Sequence, residues 1–475
     1  MNNSQNLKPL NLELLAPAGN LEKLKVALKF GADAVYFGLP DFSLRARSNQ
    51  FSLENILEAQ NICQREKKKF YITMNIYAHN IHLKKIKKQL QWLKENEIKP
   101  NGIIVSDPGI IRLIKKYLPK VSLHLSTQAN ATNLEAVKFW WEQGVRRVVL
   151  AREVTLDEIR EIHQSVPEME LEVFIHGAMC MSYSGRCILS KWMTNRSANL
   201  GDCAQPCRWK WQKQDEKDYE QTAEVVPLQE RSGCRGGTSE FCGKETSTGD
   251  KKVDLVDDKN RFEMRVEEDQ HGTYMFNSYD ISLVQYLDKL INAGVVSFKI
   301  EGRAKSVYYV AVITRTYRKI IDAIQRGATN NQLNKIIKEQ EEELSKMSNR
   351  GYWTGFIAGN EPPHLFNQAH KKVDWEFVGI SKDKNFKNSK RLSLNENNNK
   401  TQQVFVHNKL TVGDQVEIIT TEKNILSQII SIKNENHKLV QSAHGGLDKT
   451  FQITFDKDAP NYFLLRKKQL RTTNY

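Results

Sequence analysis

For its first three hundred residues the chain alternates between two textures. Short runs of β-branched and other apolar residues give way to longer stretches in which apolar positions recur every three or four residues. The first texture predicts strands buried on both faces, and the second predicts amphipathic helices. Strands are predicted at Leu12–Pro17 (LELLAP), Ala34–Leu39, Phe70–Ile76, Gly102–Asp107, Ser122–Gln128, Arg147–Arg152, Leu171–His176 and Val296–Glu301. Helices such as Leu21–Phe30 and Leu83–Glu95 fall between them, the first capped by Asn20. Eight strand–helix units imply a parallel sheet in an α/β fold, and eight is the number that closes a (β/α)8 TIM-type barrel. An open doubly wound sheet is the competing architecture, but no G-x-G-x-x-G turn follows the first strand.

The alternation breaks at 208–266, which is polar, charged and rich in Gly, Ser and Thr. A largely irregular insertion is expected there, inside a barrel domain spanning 1–330. Helical pattern resumes from Ile281 and continues past the eighth strand through TRTYRKIIDAIQ and LNKIIKEQEEELSKM, which predicts a helical connector over 331–372. From 373 to 475 apolar and polar residues alternate, with turn signals at HNK and VGD. This predicts a small all-β, barrel-like domain, and its Lys- and Asn-rich composition suits substrate docking better than catalysis.

Charge adds a partner class. Seventy Lys and Arg against 56 Asp and Glu give a net +14. Such a field favours a polyanion, nucleic acid first and an anionic lipid surface second, although a basic composition also arises as proteome-wide bias. The mean hydropathy is −0.56, no apolar run is long enough to span a bilayer, and the first residues lack a secretory-signal pattern. The expectation is a cytoplasmic protein without a membrane partner.

A reducing compartment changes the reading of the cysteines. Four of the seven lie within 28 positions, Cys180, Cys187, Cys203 and Cys207, spaced C-x6-C-x15-C-x3-C. Clustered thiols in such a compartment bind metal or do redox chemistry more often than they form structural disulfides. Structural zinc favours tighter pairs, whereas an iron–sulfur cluster with four thiolate ligands accepts wider, irregular spacing. From spacing alone, cluster, zinc and inert thiols all remain open. Cys234 and Cys242 sit in the insertion and are read as incidental.

In a barrel, function sits where strands end. The polar residues at or beyond those ends are Asn75 and His79, Asp107, Gln128 and Asn130, Arg152 and Glu153, His176, and Glu301 with Arg303. For each one, capping or loop bracing is the plain alternative; together they point to one face. Cys180 lies four residues beyond His176, so the cysteine segment starts at that face. Neither H-E-x-x-H nor G-x-S-x-G occurs; a cysteine nucleophile with His176 as base remains a formal peptidase alternative.

The segment EVFIHGAMCMSYSGRCILS resembles the signature of the collagenase-like peptidase family. The resemblance extends through ELLAPAGNLEKLKVALKFGADAVYFG, FSLRARSN, NIYAHN, STQANATNLEAVKFW, SFKIEGRAKSVYYVA, NRGYWTGF and KLTVGDQVEII. The family name is historical, and members similar to this chain are oxygen-independent hydroxylases. The longer blocks resemble the branch acting on tRNA more than siblings acting on ribosomal RNA cytidine. The resemblance implies a 4Fe–4S cluster held by Cys180, Cys187, Cys203 and Cys207, prephenate as a small anionic cosubstrate, and 5-hydroxyuridine formed at the wobble position of the anticodon loop. In that frame His176 (a candidate proton shuttle), Arg152, Glu301 and Arg303 are the catalytic candidates. Arg45, Arg47, Asn75, His79, Gln128 and Asn130 are the substrate-binding candidates. Arginines 45, 47, 152 and 303 are the candidates to clamp prephenate carboxylates, and the C-terminal domain is expected to dock tRNA.

Overall fold

Eight parallel strands close on themselves. They are β1 (Glu13–Pro17), β2 (Ala34–Gly38), β3 (Lys69–Met74), β4 (Gly102–Val105), β5 (Leu123–Leu125), β6 (Arg147–Val149), β7 (Glu170–Ala178) and β8 (Val295–Ile300). Each pairs with the next, and β8 pairs with both β7 and β1, which completes the barrel and excludes the open sheet. The structure is a computed structural model describing residues 12–40, 51–179, 184, 190, 194, 196, 203–206, 211–214, 252–257, 263–267, 279–359, 373–382, 399–446 and 449–469.

Most of the helices between the strands start where short polar side chains take up free amide groups. They are α1 (Leu21–Lys29), α2 (Leu53–Arg65), α3 (Asn80–Glu95), α4 (Pro108–Tyr117), α5 (Leu134–Glu142), α6 (Leu156–Ser165), α7 (Leu287–Asn292) and α8 (Val307–Gln325). Asn20 accepts the Lys23 amide at the start of α1, Asp107 caps α4 ahead of Pro108, and Thr155 forms a capping box with Glu158 on α6. The outward side chains of the strands, such as Leu14, Val35 and Ile72, pack with the helices into the main core.

The inward side chains are largely polar. At the amino-terminal end of the barrel, Arg147 of β6 donates to Glu13 of β1 (2.5 Å) and to Glu172 of β7 (3.2 Å). Lys299 of β8 donates to Glu172 at 2.6 Å, and Tyr71 of β3 to Glu13 at 2.6 Å. Burial alone raises the Glu13 carboxyl, but the attraction and hydrogen bond of Arg147, aided by Lys69 and Tyr71, hold it down at about 2. The charges are paired because an unpaired charge at this depth costs several kcal/mol.

Three stretches differ from the sequence reading. The insertion is not simply irregular: strands Trp211–Gln214, Lys252–Asp257 and Glu263–Glu267 form an antiparallel sheet. KVDLVD and EMRVE carry the strand alternation that the surrounding polar composition obscured. Ile281 begins no helix, since Asp280–Ser282 is a short strand antiparallel to β7. The connector is likewise knitted into the barrel: α9 (Asn330–Ser345) follows α8, and Tyr352–Trp353 pairs with Asp280–Ser282.

The C-terminal domain is a closed antiparallel barrel of six strands, β9 (Trp375–Ser381), β10 (Asn399–Val406), β11 (Gln415–Ile419), β12 (Asn424–Lys433), β13 (Thr450–Ala459) and β14 (Leu464–Lys468). It has its own apolar core and is locked to the first barrel by buried ions. Arg466 of β14 donates to Glu343 of α9 (2.6 Å) and to Tyr308 of α8 (3.0 Å). Arg315 of α8 reaches Glu343 (2.9 Å) and the Thr420 carbonyl (2.6 Å).

Candidate active site at the barrel mouth

Strand alternation carries the inward face of β8 from Ser297 through Lys299 to Glu301, and Arg303 follows in the loop. The last three line an open pocket at the carboxyl-terminal mouth of the barrel, with a cavity volume of about 100 Å³. Asn75, Gln128 and Arg152 also line it. Five of the sequence candidates, Asn75, Gln128, Arg152, Glu301 and Arg303, are therefore brought together. Asn75 donates to Ser126 Oγ at 3.0 Å, and Arg303 Nη1 donates to Thr73 Oγ1 at 2.9 Å. The Arg152 guanidinium packs 4.2 Å from the Phe174 ring centroid, and its Nε is buried without a hydrogen-bond partner among the described residues.

Close backbone approach shapes the rim. A Cβ on Gly19 would lie 2.2 Å from the Arg303 carbonyl oxygen, so the β1–α1 loop can brace the Arg303 loop only through glycine. Gly177 has φ +112, and a Cβ there would lie 2.7 Å from the Glu301 carbonyl oxygen.

His176 is placed differently from the expectation. Glu172 and Phe174 face the barrel interior, but the pairing of β7 with β8 shifts register between Lys299 opposite Phe174 and Ile300 opposite His176. This bulge turns His176 outward, against α8. Its Nδ1 lies 3.2 Å from the Tyr317 hydroxyl, and the rings of Tyr309, Tyr317 and Tyr352 surround it. Only 1% of the residue is exposed, and burial lowers its pKa to about 4. It lies outside the pocket lining, and burial favours its neutral form.

Other candidates lie outside the pocket lining. His79 is exposed before α3, and its backbone amide donates to His82 Nδ1. Asn130 ends a 3-10 turn in the left-handed region and does not line the pocket. Asp107 caps α4. Arg45, Arg47, Cys180, Cys187, Cys207, Cys234 and Cys242 lie outside the described residues.

The cysteine segment is tied to the mouth by its described members. Glu153, after β6, accepts the Ser184 amide (2.6 Å) and hydroxyl (2.9 Å), while the Arg152 amide donates to Ser184 Oγ. Ser190 Oγ donates to the Arg196 carbonyl and accepts the Ala204 amide, which connects the Cys187 side of the segment to Cys203. Cys203 Sγ accepts the Gln205 amide at 3.3 Å, with Gln205 at φ +59. An amide aimed at sulfur is the arrangement that stabilises a ligating thiolate, so the one described cysteine of the segment fits a cluster ligand.

The pocket also holds a residue that the strand-end survey missed. Lys299 is 3% exposed, pairs with Glu172, and holds its ammonium 4.5 Å from the Tyr36 ring centroid. Desolvation lowers its pKa, while Glu172 opposes the shift. The signal was present in VSFKIE, where Ser, Lys and Glu occupy every second position of a strand otherwise apolar. Polar residues at period two within an α/β strand mark a functional interior face.

Comparison with known proteins agrees with this architecture. Residues 19–366 match the model of peptidase family U32 and residues 374–466 that of the peptidase family U32 C-terminal domain. The chain is 37% identical over 462 residues to "tRNA hydroxylation protein P" of Haemophilus influenzae, covering 97% of each chain. It is also 37% identical over 443 residues to "tRNA hydroxylation protein P" of Escherichia coli strain K12, covering 91% of each. Identity to "23S rRNA 5-hydroxycytidine C2501 synthase" of the same strain is 35% over 318 residues, covering 66% of this chain and 40% of that one. Among the described residues no helix is long and apolar enough to cross a membrane. With a single β/α barrel and its C-terminal β-barrel both matched, the chain belongs to peptidase family U32.

Proposed function

We propose that this chain is an RNA hydroxylase acting on tRNA, and that it converts the wobble uridine to 5-hydroxyuridine without molecular oxygen, with prephenate as cosubstrate. The observation that carries the reading is full-length similarity to proteins named for tRNA hydroxylation, combined with a cationic pocket at the mouth of the barrel. A base in an anticodon loop is already unpaired, so presenting it to a recessed pocket costs little. Arg152, Arg303 and Lys299 supply the positive charge that a dicarboxylate requires, and Arg152 Nε has a donor to offer. Gln128 and Asn75 are placed to hydrogen-bond the edge of a base.

Cys180, Cys187, Cys203 and Cys207 would hold a 4Fe–4S cluster, which supplies electron-transfer or Lewis-acid chemistry when bound. The amide donated to Cys203 and the tethering of Ser184 by Glu153 support that assignment. The peptidase alternative has a weak base, because His176 is enclosed by tyrosines and held neutral.

Two measurements test the reading. Nucleoside analysis of tRNA from a strain lacking this gene is expected to lose 5-hydroxyuridine and to regain it on complementation; unchanged modification refutes the substrate. Anaerobically purified protein is expected to contain about four iron and four sulfide per chain, with a visible absorption band. Colourless, iron-free protein with full activity refutes the cluster.

A further inference from the structure

Positive charge is concentrated in one part of the chain. Residues 80–120 contain ten Lys and Arg against three Asp and Glu, a surplus of seven, which is half of the whole-chain net +14. The C-terminal region 373–475, more than twice as long, has sixteen against eleven. The structure turns the first segment into one surface. α3 and α4 are neighbours on the outside of the barrel, and both begin at its mouth, α3 only five residues after the pocket-lining Asn75.

On α3, Ile86, Gln89, Leu90 and Leu93 are buried, so Lys84, Lys85, Lys87 and Lys88 fan out over the solvent side. On α4, the buried Ile110, Ile111 and Ile114 leave Arg112 and Lys116 exposed. None of Lys84, Lys87 and Lys88 has an ion-pair partner among the described residues. The acids do not neutralise this face: Asp107 is consumed in capping α4, and Glu95 and Glu97 lie at the end of α3 remote from the mouth. From Lys84 to Lys94 the row runs about 15 Å along the helix.

We propose that the α3–α4 face is the track for the RNA phosphate backbone, which leads the substrate strand to the barrel mouth. This rests on the RNA-hydroxylase reading and places RNA docking on the first barrel, not chiefly on the C-terminal domain. Lysines bind phosphates as mobile point charges and carry no base information, so the track supplies affinity and orientation while the pocket supplies selection. The exposed Ile81, 82% accessible at the rim end of α3, offers an apolar contact beside the mouth.

The test is binding of unmodified tRNA to the full-length protein between 50 and 200 mM salt. It compares wild type, a triple variant Lys84→Gln, Lys87→Gln, Lys88→Gln, and a control triple variant Lys400→Gln, Lys438→Gln, Lys457→Gln on exposed C-terminal positions. The α3 triple is expected to bind about tenfold or more weakly at 100 mM salt and to lower the slope of log affinity against log salt by about 2, as loss of three phosphate contacts requires. The Lys→Arg version of the same triple should bind like wild type, and so should the control. Wild-type affinity and slope in the α3 triple overturn the inference, as does a loss confined to the control. So does an α3 triple that loses binding to anionic phospholipid vesicles while keeping tRNA. Wild-type protein that fails to bind tRNA at low salt refutes the RNA reading itself, whereas normal wild-type binding with an unaffected α3 triple refutes only the track.

Discussion

Replacing Arg147 by methionine removes the centre of the ionic layer inside the barrel. The side chain is a similar length but carries no charge; the half-exposed Glu170 loses its partner, and so do two buried carboxylates, Glu13 at 2.5 Å and Glu172 at 3.2 Å. Both glutamates are 3% exposed or less. Breaking a buried pair costs about 3–5 kcal/mol when it strands a charge. Here each glutamate keeps one lysine, Lys69 for Glu13 and Lys299 for Glu172, so the lower end applies, about 3 kcal/mol. The direction agrees: Glu13 is held at about 2 instead of 4.5 against the opposing effect of burial, with Arg147 the largest attractive cause. Because the folded-state pKa is depressed, this stabilisation is complete above pH 4.5 and is lost as pH falls through about 2. The assay is urea unfolding of wild type and variant at intervals from pH 7 to pH 3. The stability gap should be about 3 kcal/mol at neutral pH, a fall in Tm of about 3–4 °C, and should narrow below pH 4.5. Adding Glu13→Gln to the Arg147 variant should recover about half the loss. A gap below about 1 kcal/mol at pH 7, or one independent of pH, would show that the layer does not act as a coupled ionic unit.

Three further outcomes follow from the same geometry. Lys299→Met should weaken prephenate binding by about 10- to 100-fold in calorimetry, the loss of one charge-assisted hydrogen bond; unchanged affinity removes Lys299 from the ligand site. Gly19→Ala places a Cβ 2.2 Å from the Arg303 carbonyl oxygen and should lower kcat by about 100-fold through displacement of the Arg303 loop; an active variant would mean that this loop is free to move. Arg466→Met removes the buried guanidinium that the Glu343 and Glu417 carboxylates share, leaving them Lys346. It should speed release of the C-terminal barrel in limited proteolysis, and an unchanged cleavage rate would mean that Arg466 is not needed to hold the two barrels together.

Much of this protein was legible in its sequence because local physics wrote it there. Period-two and period-3.6 patterning specified strands and helices, their number specified a closed barrel, and strand ends specified the mouth. Asn75, Gln128, Arg152, Glu301 and Arg303 meet there for that reason. The spacing of four cysteines marked a segment of clustered thiols without any need for coordinates, but left cluster, zinc and inert thiols open. What the tertiary structure decided is which way individual side chains face. A single-residue register shift between β7 and β8 turns His176 from the mouth into a tyrosine cage, because a bulge locally re-aims the side chain beside it. Lys299 looked like one lysine among many until barrel closure put it against Glu172 and Tyr36. Arg147, Glu13 and Glu172 are far apart in sequence, and only the closing of β8 onto β1 and β7 makes them a single charged layer. The pattern of residues sets which elements form, but contacts between distant strands set the environment, and with it the protonation state and reach, of each functional group.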